Sequence, residues 1–101
     1  MTHETKVFTS KKNIDEFVGC LKKDSFFTLL NQYNENGIEI ILLEKKMLRI
    51  YNSSVIITLI LSTKQSNQLT IKVDLLSPVK KGVVLDFNAT KTIMNKIESY
   101  V

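Results

Sequence analysis

The chain has 101 residues, 44% hydrophobic and 24% charged, with 14 Lys+Arg against 10 Asp+Glu and a formal charge of +4. That length is one domain, residues 1–101, and the apolar fraction is too high for a disordered chain and enough for a core without disulfides or a structural metal. A single Cys and a single His exclude an intrachain disulfide and a Cys/His zinc cluster.

Met1 to Glu4 reads as a frayed end, and Lys6-Val7-Phe8-Thr9 as a short first strand. Asn13 is a good helix N-cap, with Glu16 placed to complete a capping box. Ile14, Phe17, Val18 and Leu21 then recur at the spacing that lines one helix face. Asp15 and Glu16 come early and Lys22 and Lys23 late, as the helix dipole favours, and the helix ends near Lys23.

The stretch 25–37 admits two readings. Phe26, Phe27, Leu29, Leu30 and Tyr33 fit a helical spacing, which would continue the first helix. The phase slips at Asp24-Ser25, however, and Asn36-Gly37 is a strong hairpin signal because both residues tolerate positive φ. Ile38-Glu39-Ile40-Ile41-Leu42-Leu43 follows, rich in β-branched residues, so we pair 26–33 with 38–45 as a hairpin. Met47 to Tyr51 continues that strand past a bend at Lys45-Lys46, and Asn52-Ser53-Ser54 is a turn. Val55 to Leu61 is apolar on both faces and reads as a central strand, followed by a turn at Lys64-Gln65-Ser66-Asn67. Leu69, Ile71, Val73 and Leu75 alternate with Thr70, Lys72 and Asp74, the mark of an antiparallel strand with one wet face. Ser77-Pro78 stops it. After Lys80-Lys81-Gly82, Val83 to Phe87 reads as a short extended piece. Asn88 reads as the cap of a final helix over 89–100, with Ile93, Met94, Ile97 and Val101 on its apolar face.

The order is therefore β-α-β-β-β-β-α. It implies an α+β fold, an antiparallel sheet of about five strands with two helices on one face. Helix-grip-like and other small curved-sheet modules share this order.

Several short motifs recur together: Glu44-Lys45-Lys46-Met47 to Arg49, then Asn52, the apolar strand from Val55, and Gly82 followed by Asp86-Phe87 before an amphipathic C-terminal helix. In these the chain resembles an uncharacterised family of small bacterial α+β proteins, a domain of unknown function. The spacing from Phe8 through the first helix is compatible, so the resemblance covers most of the chain. It implies the α+β fold and the hairpin after the first helix, and it transfers no catalytic residue.

The chemistry-bearing residues are sparse. His3 falls in the frayed end, where a general base is not held within reach of a target, and without a second histidine Ser-His-Asp and Cys-His catalysis are excluded. Cys20, between Val18 and Leu21, reads as a small hydrophobe on a packed helix. Asp15 and Glu16 start a helix, Glu39 and Glu44 share a strand, and Asp74 and Asp86 flank a turn region; none has the spacing of a calcium loop. Gly19, Gly37 and Gly82 form no phosphate-binding loop. No catalytic, cofactor-binding or metal-ligating residue is expected, and the chain does not read as an enzyme.

Two patterns remain. Lysines come as doublets, Lys11-Lys12, Lys22-Lys23, Lys45-Lys46 and Lys80-Lys81, each at an expected element end. If Lys45, Lys46, Arg49, Lys80 and Lys81 converge, they form a patch for nucleic acid or an anionic surface, although lysines at element ends also block edge pairing. Separately, Leu30, Leu42, Ile50, Ile60 and Leu76 exceed what one thin core needs, and point to a pocket for a small apolar ligand or to a dimer face. Met1 to Lys12 contains no apolar signal region, and the run from Val55 to Leu61 falls far short of the roughly 20 residues that span a bilayer. A free cysteine suits a reducing cytoplasm. The expectation is a cytoplasmic, non-enzymatic binding or interaction module that self-associates as a homo-oligomer. The alternative is a binder of nucleic acid or anionic surfaces through the lysine doublets.

Overall fold

Alternating apolar residues build five strands, and apolar residues three and four apart build two helices: β1 (Thr2–Ser10), α1 (Ile14–Lys23), β2 (Thr28–Glu35), β3 (Ile38–Met47), β4 (Ser53–Thr63), β5 (Leu69–Ser77) and α2 (Val84–Glu98). The structure, a computed structural model, describes residues 2–47, 53–63, 68–77 and 84–101, and of 2, 47, 53 and 84–89 the backbone only. The strands form one sheet in the order β1-β5-β4-β3-β2, with every neighbouring pair antiparallel. From β2 to β5 the chain meanders. β1 closes the sheet against β5, and α1 carries the chain from that edge to the opposite one. This is the expected α+β architecture in the expected order.

The buried strand residues all project from one face: Ile41 and Leu43 of β3, Val55, Ile57, Leu59 and Leu61 of β4, and Leu69, Ile71, Val73 and Leu75 of β5. Phe17, Val18 and Leu21 of α1 and Ile93, Met94 and Ile97 of α2 pack against them in one cluster, so both helices lie on that face. Each side chain of this kind that is fully buried contributes roughly 1.5–3 kcal/mol. β4 is the middle strand, as its apolar run implies.

Local chemistry sets the element ends. The Asn13 side chain accepts from the Glu16 N–H at 2.8 Å and starts α1. Asp24 ends it: its own N–H reaches the Leu21 carbonyl at 3.2 Å, and its Oδ1 accepts from the Phe26 N–H at 2.9 Å. That turn breaks the helical phase at Asp24-Ser25 and settles residues 28–35 as a strand. Asn36 and Gly37 both take positive φ, 53° and 80°, which a two-residue hairpin turn with the twist of its flanking strands requires.

Four local expectations need correction. His3 and Glu4 are not frayed; β1 begins at Thr2 and pairs in register with β5 along its whole length, since the edge of β5 would otherwise hold unpaired backbone groups. β3 passes Lys45 and Lys46 without a bend, paired to Val55 and Ser54, so Ser53 and Ser54 belong to β4 and not to a turn. The expected continuation over Leu48 to Tyr51, with Asn52, lies outside the described residues, as do the turn at Lys64 to Asn67 and residues 78–83. Finally, 84–87 is the first turn of α2, not an extended piece, and Asn88 lies inside that helix. An extended piece with no strand beside it leaves its backbone unpaired, whereas adding residues to an existing helix gains one hydrogen bond each.

Candidate interaction surface

The sheet face away from the helices is where the unused apolar residues collect. Strand register places side chains on it in rows that cross the sheet. One row holds Val7, Lys72, Ile60, Ile40 and Tyr33, one residue from each strand. The next row holds Thr5, Asp74, Thr58, Leu42 and Asn31. A third holds His3, Leu76, Ile56, Glu44 and Thr28. Among the described residues nothing on this face is buried: Val7, Tyr33 and Leu76 are exposed, and Ile40, Leu42, Ile56 and Ile60 are half-buried. Leu42, Ile60 and Leu76, surplus to the core by the sequence, therefore lie on this one face. Leu30 is exposed beside the β-bulge between Leu29 and Asn31, and Ile50 lies outside the described residues.

The face also carries a polar cluster that the sequence reading missed. His3 Nε2 lies 3.3 Å from Asp74 Oδ1. The Thr5 hydroxyl donates to the same oxygen and stands 3.5 Å from the same imidazole nitrogen. Hydroxyl, imidazole and carboxylate are thus together, but not as a relay. A relay sets the imidazole between the other two through its two different nitrogens; here one nitrogen and one oxygen make all three contacts. The Thr5 hydroxyl, then burial acting the other way, then the His3 hydrogen bond and the Lys72 and His3 charges leave Asp74 below the ordinary carboxylate range. The only sequence signal for this cluster was the two-residue spacing of His3 and Thr5, which has meaning only once β1 is known to be a strand beside β5.

The lysines are spread by the pleat. Lys45 lies on the helix side of β3, with Nζ 4.0 Å from the centre of the Phe26 ring. Lys96 stands 5.6 Å from the same ring and pairs with Asp24 at 3.3 Å. Lys46, one residue on from Lys45, points to the helix-free face. Lys12 donates to the Tyr100 carbonyl at 2.7 Å, and Ser10 donates to that of Val101 at 2.9 Å, which together tie the end of the chain to β1. Lys22 and Lys23 are exposed at the end of α1. Arg49, Lys80 and Lys81 lie outside the described residues.

Between α1 and the β2-β3 hairpin lies a pocket of about 130 Å³, lined by Val18, Leu21, Phe27, Leu29, Ile41 and Leu43, with Lys22 and Gln32 at its polar side. Beside it, Glu39 accepts from Gln32 at 2.8 Å and from Asn34 at 3.1 Å. These two bonds, with a smaller contribution from the Lys22 charge, outweigh desolvation and keep its pKa low. Glu39 and Glu44 stand on opposite faces of the sheet, paired with Leu61 and Ile56. The side chain of Asp86 is outside the described set. Cys20 is half-buried on α1. Among the described residues no group of His, Cys, Asp and Glu has the geometry of a metal site. No helix among them is long and apolar enough to cross a membrane.

Compared with protein-family models, with curated proteins and with solved structures, the chain matches none.

Proposed function

We propose that the protein is a non-enzymatic interaction module whose working surface is the helix-free face of its sheet and whose partner is a second copy of the chain. The observation that carries this reading is the row of Val7, Lys72, Ile60, Ile40 and Tyr33, which crosses all five strands with neither described helix over it. An antiparallel sheet with a wet face ordinarily keeps that face polar along each strand. Here β3 and β4 put Ile40, Leu42, Ile56 and Ile60 on it, a contiguous apolar patch of the kind that marks association. A single half-buried thiol fits a reducing cytoplasm as the setting.

Sedimentation velocity from about 1 to 100 μM tests the reading, a range that brackets ordinary module affinities. The wild-type chain should move from monomer to dimer across it. The Ile40→Thr, Ile60→Thr double variant keeps β-branched residues and the core intact, and should stay monomeric. A wild type that is monomeric throughout, or a double variant that dimerises as well as the wild type, defeats the proposal.

The pocket under α1 favours a narrower second reading, retention of a small apolar molecule. Its volume is near that of a cavity known to hold one benzene-sized ring. Native mass spectrometry of the purified protein checks it; a mass equal to that of the bare chain tells against it.

A further inference from the structure

We infer that the two copies dock face to face about a two-fold axis that runs across the strands, between the Lys72 row and the Asp74 row, so that Lys72 of each copy meets Asp74 of the other. This rests on the proposed self-association and adds its geometry.

The starting point is Lys72. It is exposed on the helix-free face, flanked across the strands by Val7 and Ile60, and it makes no ion pair among the described residues. A covering surface that removes water from this ammonium without a carboxylate is strongly disfavoured. The occupant must therefore bring an acid to that spot, and the face itself carries one of fitting geometry. Asp74 lies two residues along the same strand and on the same side, about 7 Å away. His3 and Thr5 both engage its Oδ1, which fixes the carboxylate and leaves Oδ2 to an incoming ammonium.

Symmetry then selects the axis, because a two-fold pairs each residue with its reciprocal. An axis across the strands and midway between the two rows lays one row on the other. Lys72 then faces Asp74, Ile40 faces Leu42, Tyr33 faces Asn31, and the same pairs repeat by symmetry. An axis along β4 would set β5 over β3 and press Lys72 onto Ile40 and Asp74 onto Leu42. An axis running through either row would set Lys72 on Lys72 or Asp74 on Asp74. Only the midway axis sets each of these two charges on its opposite; it lays Ile40 on Leu42, and it lays Ile60 on Thr58 and Val7 on Thr5, where threonine methyl groups take the apolar contact. Packed sheets cross at about 30°, which fans the outer strands apart, but β5 is next to the central strand and stays near register. Strand spacing and rise give a patch of about 600–700 Å² per copy, close to the roughly 800 Å² of a standard interface.

Charge reversal tests the register. In sedimentation velocity, Lys72→Asp and Asp74→Lys should each weaken dimerisation by at least about tenfold, since each sets like charges opposite one another. The double variant that exchanges the two charges should recover dimerisation. Mixing the two single variants should give a heterodimer, because each then presents to the other the charge it lacks. Far-UV circular dichroism checks that the substitutions, at exposed Lys72 and half-buried Asp74, leave the fold in place, and the mixture provides the decisive readout even where one variant alone is less stable. A dimeric wild type whose single variants dimerise equally well, or whose mixture stays monomeric, overturns the register and leaves the self-association standing. A monomeric wild type overturns both.

Discussion

At the scale of single residues, two carboxylates stand out because side-chain donors have been aimed at them. Asp74 is held low first by Thr5, and Glu39 first by Gln32 and then by Asn34. A carboxylate whose pKa is lowered by folding stabilises the fold above its unfolded value, and that contribution disappears as the pH falls through the folded value. The protein should therefore lose stability below about pH 4, where these groups take up protons. Thr5→Val removes the main donor and should move the Asp74 titration back toward the ordinary range, as followed by carboxyl chemical shifts in NMR; an unmoved titration would show that the hydroxyl is not the cause. Asn13 and the alternation of β5 were legible because each is local: a cap acts on a backbone group three residues on, and a strand's period is two. The partner of His3 was not legible, because it lies 71 residues away in sequence and is brought near only by the closure of the sheet.

At the scale of elements, the hairpin turn concentrates the constraint. Gly37 at φ 80° occupies a backbone region that L side chains enter at a cost. Gly37→Ala should lower the unfolding free energy by about 1 kcal/mol in urea titrations, and Asn36→Gly should be nearly neutral. An unchanged midpoint for the alanine variant would mean that the turn relaxes to another type. β2 is a sheet edge, exposed along almost its whole length, and the bulge between Leu29 and Asn31 interrupts the pairing template it offers. That bulge is one reason the proposed contact uses a face and not an edge. The start of α2 escaped the sequence reading for an instructive reason. Val84 is strand-forming by propensity, yet the choice depends on whether another strand lies alongside, which propensity does not encode.

At the scale of the molecule, β4 records the two roles of the sheet in adjacent residues. Ile57 is wholly buried under the helices, whereas Ile60 is half-buried on the opposite face. Ile57→Ala should cost about 2–5 kcal/mol of stability at any protein concentration. Ile60→Ala should cost less, and its deficit should grow with concentration as the wild type gains stability from dimer formation. Urea unfolding at two concentrations separates the cases; equal, concentration-independent losses would assign both residues to the core. The fold class was open to sequence reading because core and patch share one signal, apolar residues at strand spacing. For the same reason the sequence could count the surplus residues without saying which face they shared.

The pairing of β1 with β5 has a consequence in time. The strands that neighbour each other early in the sequence form a meander of local hairpins, whose loops are short and close quickly. β1 precedes the other four strands, yet its partner at Leu69 to Ser77 follows more than half a chain later. The earliest of the five strands is thus the last that can be zipped in, and it must wait as a free segment while the rest of the sheet assembles.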